Sequence, residues 1–167
     1  MTNIPFYRTL RKAVCVMTFE EVLELDGRLI YTNKGISMMP FLRADKDVMI
    51  IEPCTTSKIK KYDAVLFVRK NNKKAYVLHR VLRVNPDGTF WIVGDNCYSG
   101  ETVRSEQILG KLTSVLRDGK RVEMTDYMYL MYVHLWCDFY PVRFLILRIK
   151  HFTLRCLRFI KRRLINE

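Results

Sequence analysis

The hexapeptide Gly35-Ile36-Ser37-Met38-Met39-Pro40 sets one hydroxyl between a glycine, which tolerates backbone angles other residues avoid, and a proline that restricts the chain to a turn. A serine held this way is a candidate nucleophile, provided a base takes its proton and donors hold the oxyanion that follows. His79, inside the strand-like run Tyr76-Val77-Leu78-His79-Arg80-Val81, is the candidate base. An imidazole with an unperturbed pKa of about 6.5 is largely neutral at pH 7, so it can accept the serine proton and return it to a leaving amine. Arg80 cannot serve, because a guanidinium does not deprotonate in proteins. Asp95, within Gly94-Asp95-Asn96, is the candidate to orient the imidazole and stabilise its charged form. The backbone N–H of Ser37 is an oxyanion donor that survives any side-chain change. Each residue also has a plainer role, as a turn serine, a strand histidine bonded to a carbonyl, or a turn aspartate.

These residues have to be brought together by the elements that carry them. Residues 1 to 17 mix apolar and basic types and are expected to form an arm or short helix. Thr18 and Glu21 have the spacing of a capping box, which predicts a helix from Phe19 to Leu25, ended by Asp26-Gly27 and packed against the sheet. From Arg28 onwards short apolar runs alternate with turn residues, the pattern of a mainly β domain over residues 28–125. Strands are expected at Arg28 to Lys34, Val48 to Ile51, Ala64 to Val68, Ala75 to Val84, Phe90 to Val93, Lys111 to Leu116 and Arg121 to Met124. Asn71 to Lys74, Asn85-Pro86-Asp87-Gly88 and Asp118-Gly119-Lys120 are turns by composition. Residues 126–167 form an apolar then basic helical tail, whose apolar run is cut by Asp138, Pro141 and Arg143 before it reaches the roughly 20 residues that cross a bilayer.

Taken in order, Gly-x-Ser-Met-x-Pro, Tyr62 to Phe67, His79-Arg80-Val81, Gly94-Asp95-Asn96 and Ile108 to Lys111 resemble the blocks of the type I signal peptidase family, nearest to its histidine-using branch. The resemblance covers about Ile30 to Met124. It implies a mainly β fold shared with the self-cleaving SOS repressors, a Ser37/His79 catalytic pair, and cleavage of a signal or leader peptide after a small residue. In that branch a second aspartate lies a few residues beyond the first; here Glu101 stands near that place, so Asp95 and Glu101 compete as third member. Many bacterial relatives carry a hydroxyl two residues before the nucleophile as a second oxyanion donor, and this chain has Gly35 there. An extended substrate would pair along a strand containing Ile36, with Ile36 and Met38 as pocket walls.

Composition narrows the setting. Hydrophobic content of 49% with 28% charged residues excludes wholesale disorder, and 29 basic against 17 acidic residues favour anionic surfaces. Eight of those basic residues follow Pro141, against the single acid Glu167. Arg143, Lys150, Arg155, Arg158 and Arg162 are expected on one helical face opposite Ile146, Ile149, Cys156, Leu157, Ile160 and Leu164, which predicts attachment to an anionic membrane surface rather than to nucleic acid. The alternative is that this apolar face covers the β domain. Five widely spaced cysteines and three scattered histidines predict neither a disulfide framework nor a metal site, and no cofactor is expected. With no N-terminal spanning run, the expected location is the cytoplasm or the cytoplasmic membrane face. Two rivals are a repressor-type self-cleaving peptidase and a non-catalytic membrane-bound peptide carrier; the first would bring a DNA-binding domain and a lysine base, and the 34 residues before Gly35 leave no room for that domain.

Overall fold

A computed structural model describes residues 17–70 and 74–165. It is mainly β: eight antiparallel strands run β1 (Leu29–Thr32), β2 (Val48–Glu52), β3 (Ala64–Lys70), β4 (Lys74–Val84), β5 (Phe90–Val93), β6 (Gly100–Val103), β7 (Ile108–Arg117) and β8 (Lys120–Glu123). Helix α1 (Phe19–Asp26) precedes them, and α2 (Tyr127–Cys137) and α3 (Tyr140–Ile165) follow. Spatially the strands lie in the order β1-β2-β7-β3-β4-β5-β6, with β8 paired to β7. The expected arm over residues 1–17 falls, except for Met17, outside the described residues, as does the turn at Asn71 to Lys73.

The local signals explain the elements. Thr18 accepts from the Glu21 N–H at 3.3 Å while Glu21 accepts from the Thr18 N–H at 2.7 Å, a reciprocal cap on α1 worth about 1 kcal/mol. Gly27 ends that helix at φ 65°, where a side chain would be strained. Phe19 of α1 stacks on Tyr76 (4.3 Å between centroids) and meets Tyr31 edge-on (5.0 Å), so the helix lies against β1 and β4. The tight β7–β8 turn uses Asp118 and Gly119, both at positive φ.

Strand parity divides the core in two. Successive side chains of β4 point to opposite faces. Leu78 joins a cluster with Leu42, Ile51, Leu66, Leu112, Tyr129 and Val133, covered by α1 and α2, and Val81 joins a second with Val65, Phe67, Phe90 and Ile92. The sheet has one more strand than the sequence predicts: β6, Gly100-Glu101-Thr102-Val103, lacks apolar alternation and is a strand because it pairs along β5, Glu101 opposite Ile92.

The tail is not a separable appendage. Tyr129, Val133 and Cys137 of α2 are buried in the first core cluster. Within α3, Arg143 is only 4% exposed and packs against Trp136, with its guanidinium carbon 5.7 Å from the ring and Nη1 donating to the Trp136 carbonyl at 3.4 Å. The expectation that Arg143 faces a membrane is thereby corrected: Arg143 and buried Leu147 form the side of α3 turned to the protein. Arg158 and Arg162 lie on the part of α3 whose side chains are outside the described residues.

Candidate active site

Ser37 is carried on the long loop between β1 and β2. Asp47, fully buried, fastens that loop: it accepts from the Arg43 N–H at 3.0 Å and from Arg43 Nε at 2.9 Å, and Arg117 of β7 reaches it with Nη2 at 2.6 Å. Its carboxyl lies below the usual range because these donors outweigh the burial that would raise it. Asn33 accepts from the Asp45 N–H at 2.7 Å and closes the loop's base. The backbone then turns tightly, Met39 N–H donating to the Ile36 carbonyl (3.1 Å) and Leu42 N–H to that of Met38 (2.9 Å).

That turn decides which neighbours of Ser37 face the cleft. Met38 is driven into the core at 1% exposure, while Ile36 is 62% exposed and lies beyond the end of β1. Neither lines the cleft, so both pocket-wall expectations are corrected, and no strand containing Ile36 is there for a substrate to extend. Nor does Gly35 need a glycine's angles: its φ is not positive, and a Cβ there would meet only Asn33 Oδ1 at an ordinary 3.7 Å.

The cleft has a volume of about 500 Å³ and contains Ser37 and His79 among its walls. Tyr31, Tyr76, Asn33, Lys34, Arg69 and Cys97 also line it. His79 sits on β4 opposite Val65 of β3, 7% exposed, its ring 6.0 Å from that of Phe67. Burial depresses its pKa to about 4; Glu101 pulls the other way and Arg69 adds to the depression. At neutral pH the imidazole is therefore uncharged and able to take a proton.

Gly94 brings His79 and the loop of Ser37 together. A Cβ placed on Gly94 would stand 2.7 Å from the Ser37 carbonyl oxygen, 2.8 Å from Cys97 Sγ and 3.0 Å from His79 Nε2. The serine backbone and the imidazole nitrogen thus converge on one point that only a glycine leaves open. The Ser37 hydroxyl itself makes no hydrogen bond among the described residues.

The two competing carboxylates are separated. Glu101 stands with Oε1 3.7 Å from His79 Nδ1, and Arg69 grips both its oxygens, Nε donating to Oε2 at 2.9 Å and Nη2 to Oε1. Asp95 makes no hydrogen bond to His79. It is fully buried, takes Arg80 Nε at 2.8 Å and Nη2 at 2.7 Å, and accepts from the Tyr132 hydroxyl at 3.0 Å. Because His79 and Arg80 are adjacent on one strand, they point to opposite faces, and each finds a different acid.

Nothing in the sequence pattern singles out Arg69, Asn96 or Cys97. Arg69 ends β3 in a basic stretch that reads as solvated surface, and Cys97 follows a turn with no accompanying ligand. Asn96 follows glycine and aspartate as a turn residue would, yet its N–H donates to the Ser37 carbonyl at 2.7 Å and its Nδ2 to the Ile36 carbonyl at 3.2 Å. No family model, curated protein or solved structure matches the chain. Among the described residues no cluster of three or more His, Cys, Asp or Glu side chains has the makings of a metal site.

Proposed function

We propose that this chain is a serine endopeptidase of the signal-peptidase type, cleaving a signal or leader peptide with Ser37 as nucleophile, His79 as general base and Glu101 as the carboxylate behind the base. The observation that carries the reading is the convergence at Gly94, where His79 Nε2 and the backbone of Ser37 approach one point beside a cleft. The resemblance of five ordered sequence blocks adds to it. In the proposed reaction uncharged His79 takes the Ser37 proton as Oγ attacks the scissile carbonyl carbon. The oxyanion rests on the Ser37 N–H, and collapse releases the amine with the proton from His79. Water, deprotonated by the same imidazole, then hydrolyses the ester.

A fluorophosphonate probe tests this directly. The wild-type protein is expected to take one label, on Ser37; Ser37→Ala abolishes it and His79→Ala slows it by on the order of a thousandfold. Peptide binding without any labelling would instead identify the non-catalytic carrier.

The reading includes attachment to an anionic membrane surface through α3. Val142, Leu145, Ile146, Ile149 and Phe152 are exposed at three- and four-residue spacings, with Leu157 exposed further along, and Arg148, Lys150 and Arg155 are exposed on the same helix. Such an apolar strip with basic residues beside it suits the head-group boundary, and its exposure argues against the alternative in which it covers the β domain. Among the described residues no single helix is long and apolar enough to cross a membrane, while α2 and α3 together, bent by 77°, have the length and composition. Reversing Arg148, Lys150 and Arg155 to glutamate should weaken binding to phosphatidylserine vesicles on the order of 100-fold or more, at about 1 kcal/mol per basic residue. Truncating the tail is a poor test, since α2 is part of the core. Unchanged flotation of the triple variant would remove the membrane from the proposal.

A further inference from the structure

We infer that Asn96 is a positioning residue that aims the backbone N–H of Ser37 as the oxyanion donor, an inference that rests on the serine-peptidase reading. The reasoning begins with the peptide unit between Ile36 and Ser37. It is trans, so its carbonyl and its N–H point in opposite directions within one plane. Whatever grips the Ile36 carbonyl therefore fixes the direction of the Ser37 N–H. Asn96 Nδ2 donates to that carbonyl at 3.2 Å across a sequence separation of 60 residues. The only other donor to it among the described residues is the Met39 N–H, which belongs to the same loop and moves with it.

Asn96 also secures the next peptide plane. Its backbone N–H donates to the Ser37 carbonyl at 2.7 Å, so the residue holds the carbonyls on both sides of the nucleophile. The Ser37 N–H, pointing away from Asn96, has no acceptor among the described residues.

The clasp is useful only if its own base is held in place, and contacts on both sides of Asn96 hold it. The neighbouring Asp95 side chain is locked by Arg80, and the Asp95 carbonyl accepts from Trp136 Nε1 at 2.9 Å. Cys97 N–H closes the turn on the Gly94 carbonyl at 2.9 Å. An oxyanion donor stabilises developing charge through its preset direction, so a donor free to swing loses much of its effect even though the N–H remains.

The test uses the whole protein and a fluorophosphonate probe. In the labelling step Ser37 Oγ forms a bond to phosphorus, the P–F bond breaks, fluoride leaves, the hydroxyl proton passes to His79, and the phosphoryl oxygen gathers charge at the oxyanion site. Asn96→Ala removes the side-chain donor and leaves the backbone bond to Ser37; Asn96→Leu does the same at nearly constant volume and adds no charge beside His79. Both are expected to label 10- to 100-fold more slowly than wild type. The acid limb of the labelling rate, set by His79, and the thermal midpoint should stay where they are in wild type. A merely structural role would lower the midpoint and leave the rate of the folded fraction unchanged, and that result overturns the inference. So does labelling of both variants within twofold of wild type, while Ser37 itself remains reactive. A wild-type protein that takes no label is distinguishable from these, because it removes the nucleophile and the role of Asn96 together.

Discussion

Two arginine–carboxylate pairs lie on either side of the His79-Arg80 dipeptide, and they differ in little except where they are. Arg80 and Asp95 are paired through two nitrogens with neither side chain exposed, whereas Arg69 and Glu101 make the same fork with 37% and 29% of their side chains exposed. In the first pair the Tyr62 carbonyl and the Tyr129 hydroxyl take Arg80 Nη1 and the Tyr132 hydroxyl donates to Asp95, so both charges are matched within the protein. In the second a histidine stands 3.7 Å away and a cleft opens beside it. The same chemistry thus serves as a fastening in one place and as an electrostatic setting in the other, with burial making the difference. The largest predicted effect follows from that. Asp95→Ala strands the Arg80 guanidinium, whose charge Asp95 sustains against the opposing effect of burial, and should cost about 3–5 kcal/mol in denaturant unfolding. An Asp95 variant with wild-type stability and abolished labelling would break the comparison.

The second effect is on pH dependence. The folded pKa of His79 lies at about 4, below the ordinary value of 6.5, so the unfolded chain binds the extra proton first. Stability from this group is therefore fully present above pH 6.5 and is lost as pH falls towards 4, by up to about 3 kcal/mol. His79→Ala, followed by urea unfolding at pH 7 and pH 4.5, should remove most of that slope. The same depression predicts that labelling of Ser37 persists well below pH 6. A loss of reactivity centred near 6.5 would mean that the imidazole is more hydrated than its 7% exposure implies.

Much of this arrangement is legible in the sequence. The capping box, the Gly27 stop, the Asp118-Gly119 turn and seven of the eight strands follow from local composition and alternation, because each depends on neighbours in the chain. What local pattern does not carry is pairing. β6 is a strand only by virtue of β5, and with β6 unseen, Glu101 cannot be placed beside His79 rather than Asp95. Adjacent residues of a strand face opposite ways, so a turn aspartate paired with Arg80 is withdrawn from His79. The tail shows the same limit. Helical spacing puts Arg143 among the outward charges, but the contact with Trp136, seven residues earlier across the Asp138–Phe139 break, buries it. Tyr132 and Trp136 read as apolar helix residues, yet what they contribute is a hydroxyl to the Asp95 carboxylate and an indole N–H to its carbonyl.

The smallest effects separate the members of the exposed pair from each other. Glu101→Gln keeps the shape of the side chain and removes its charge, so folding stability should change by no more than about 1 kcal/mol while labelling at pH 7 falls about 10- to 100-fold. Because Glu101 raises the His79 pKa and Arg69 lowers it, the two partners should displace the acid limb in opposite directions. Glu101→Gln moves it to lower pH; Arg69→Ala, which also frees Glu101 to act on the imidazole alone, moves it to higher pH, with less than a tenfold change in rate at neutrality. A carboxylate held only for stability would leave the limb unmoved in both variants. Displacement in the same direction would mean that removing Arg69 lets Glu101 swing away from His79, making the arginine the element that holds the acid in place.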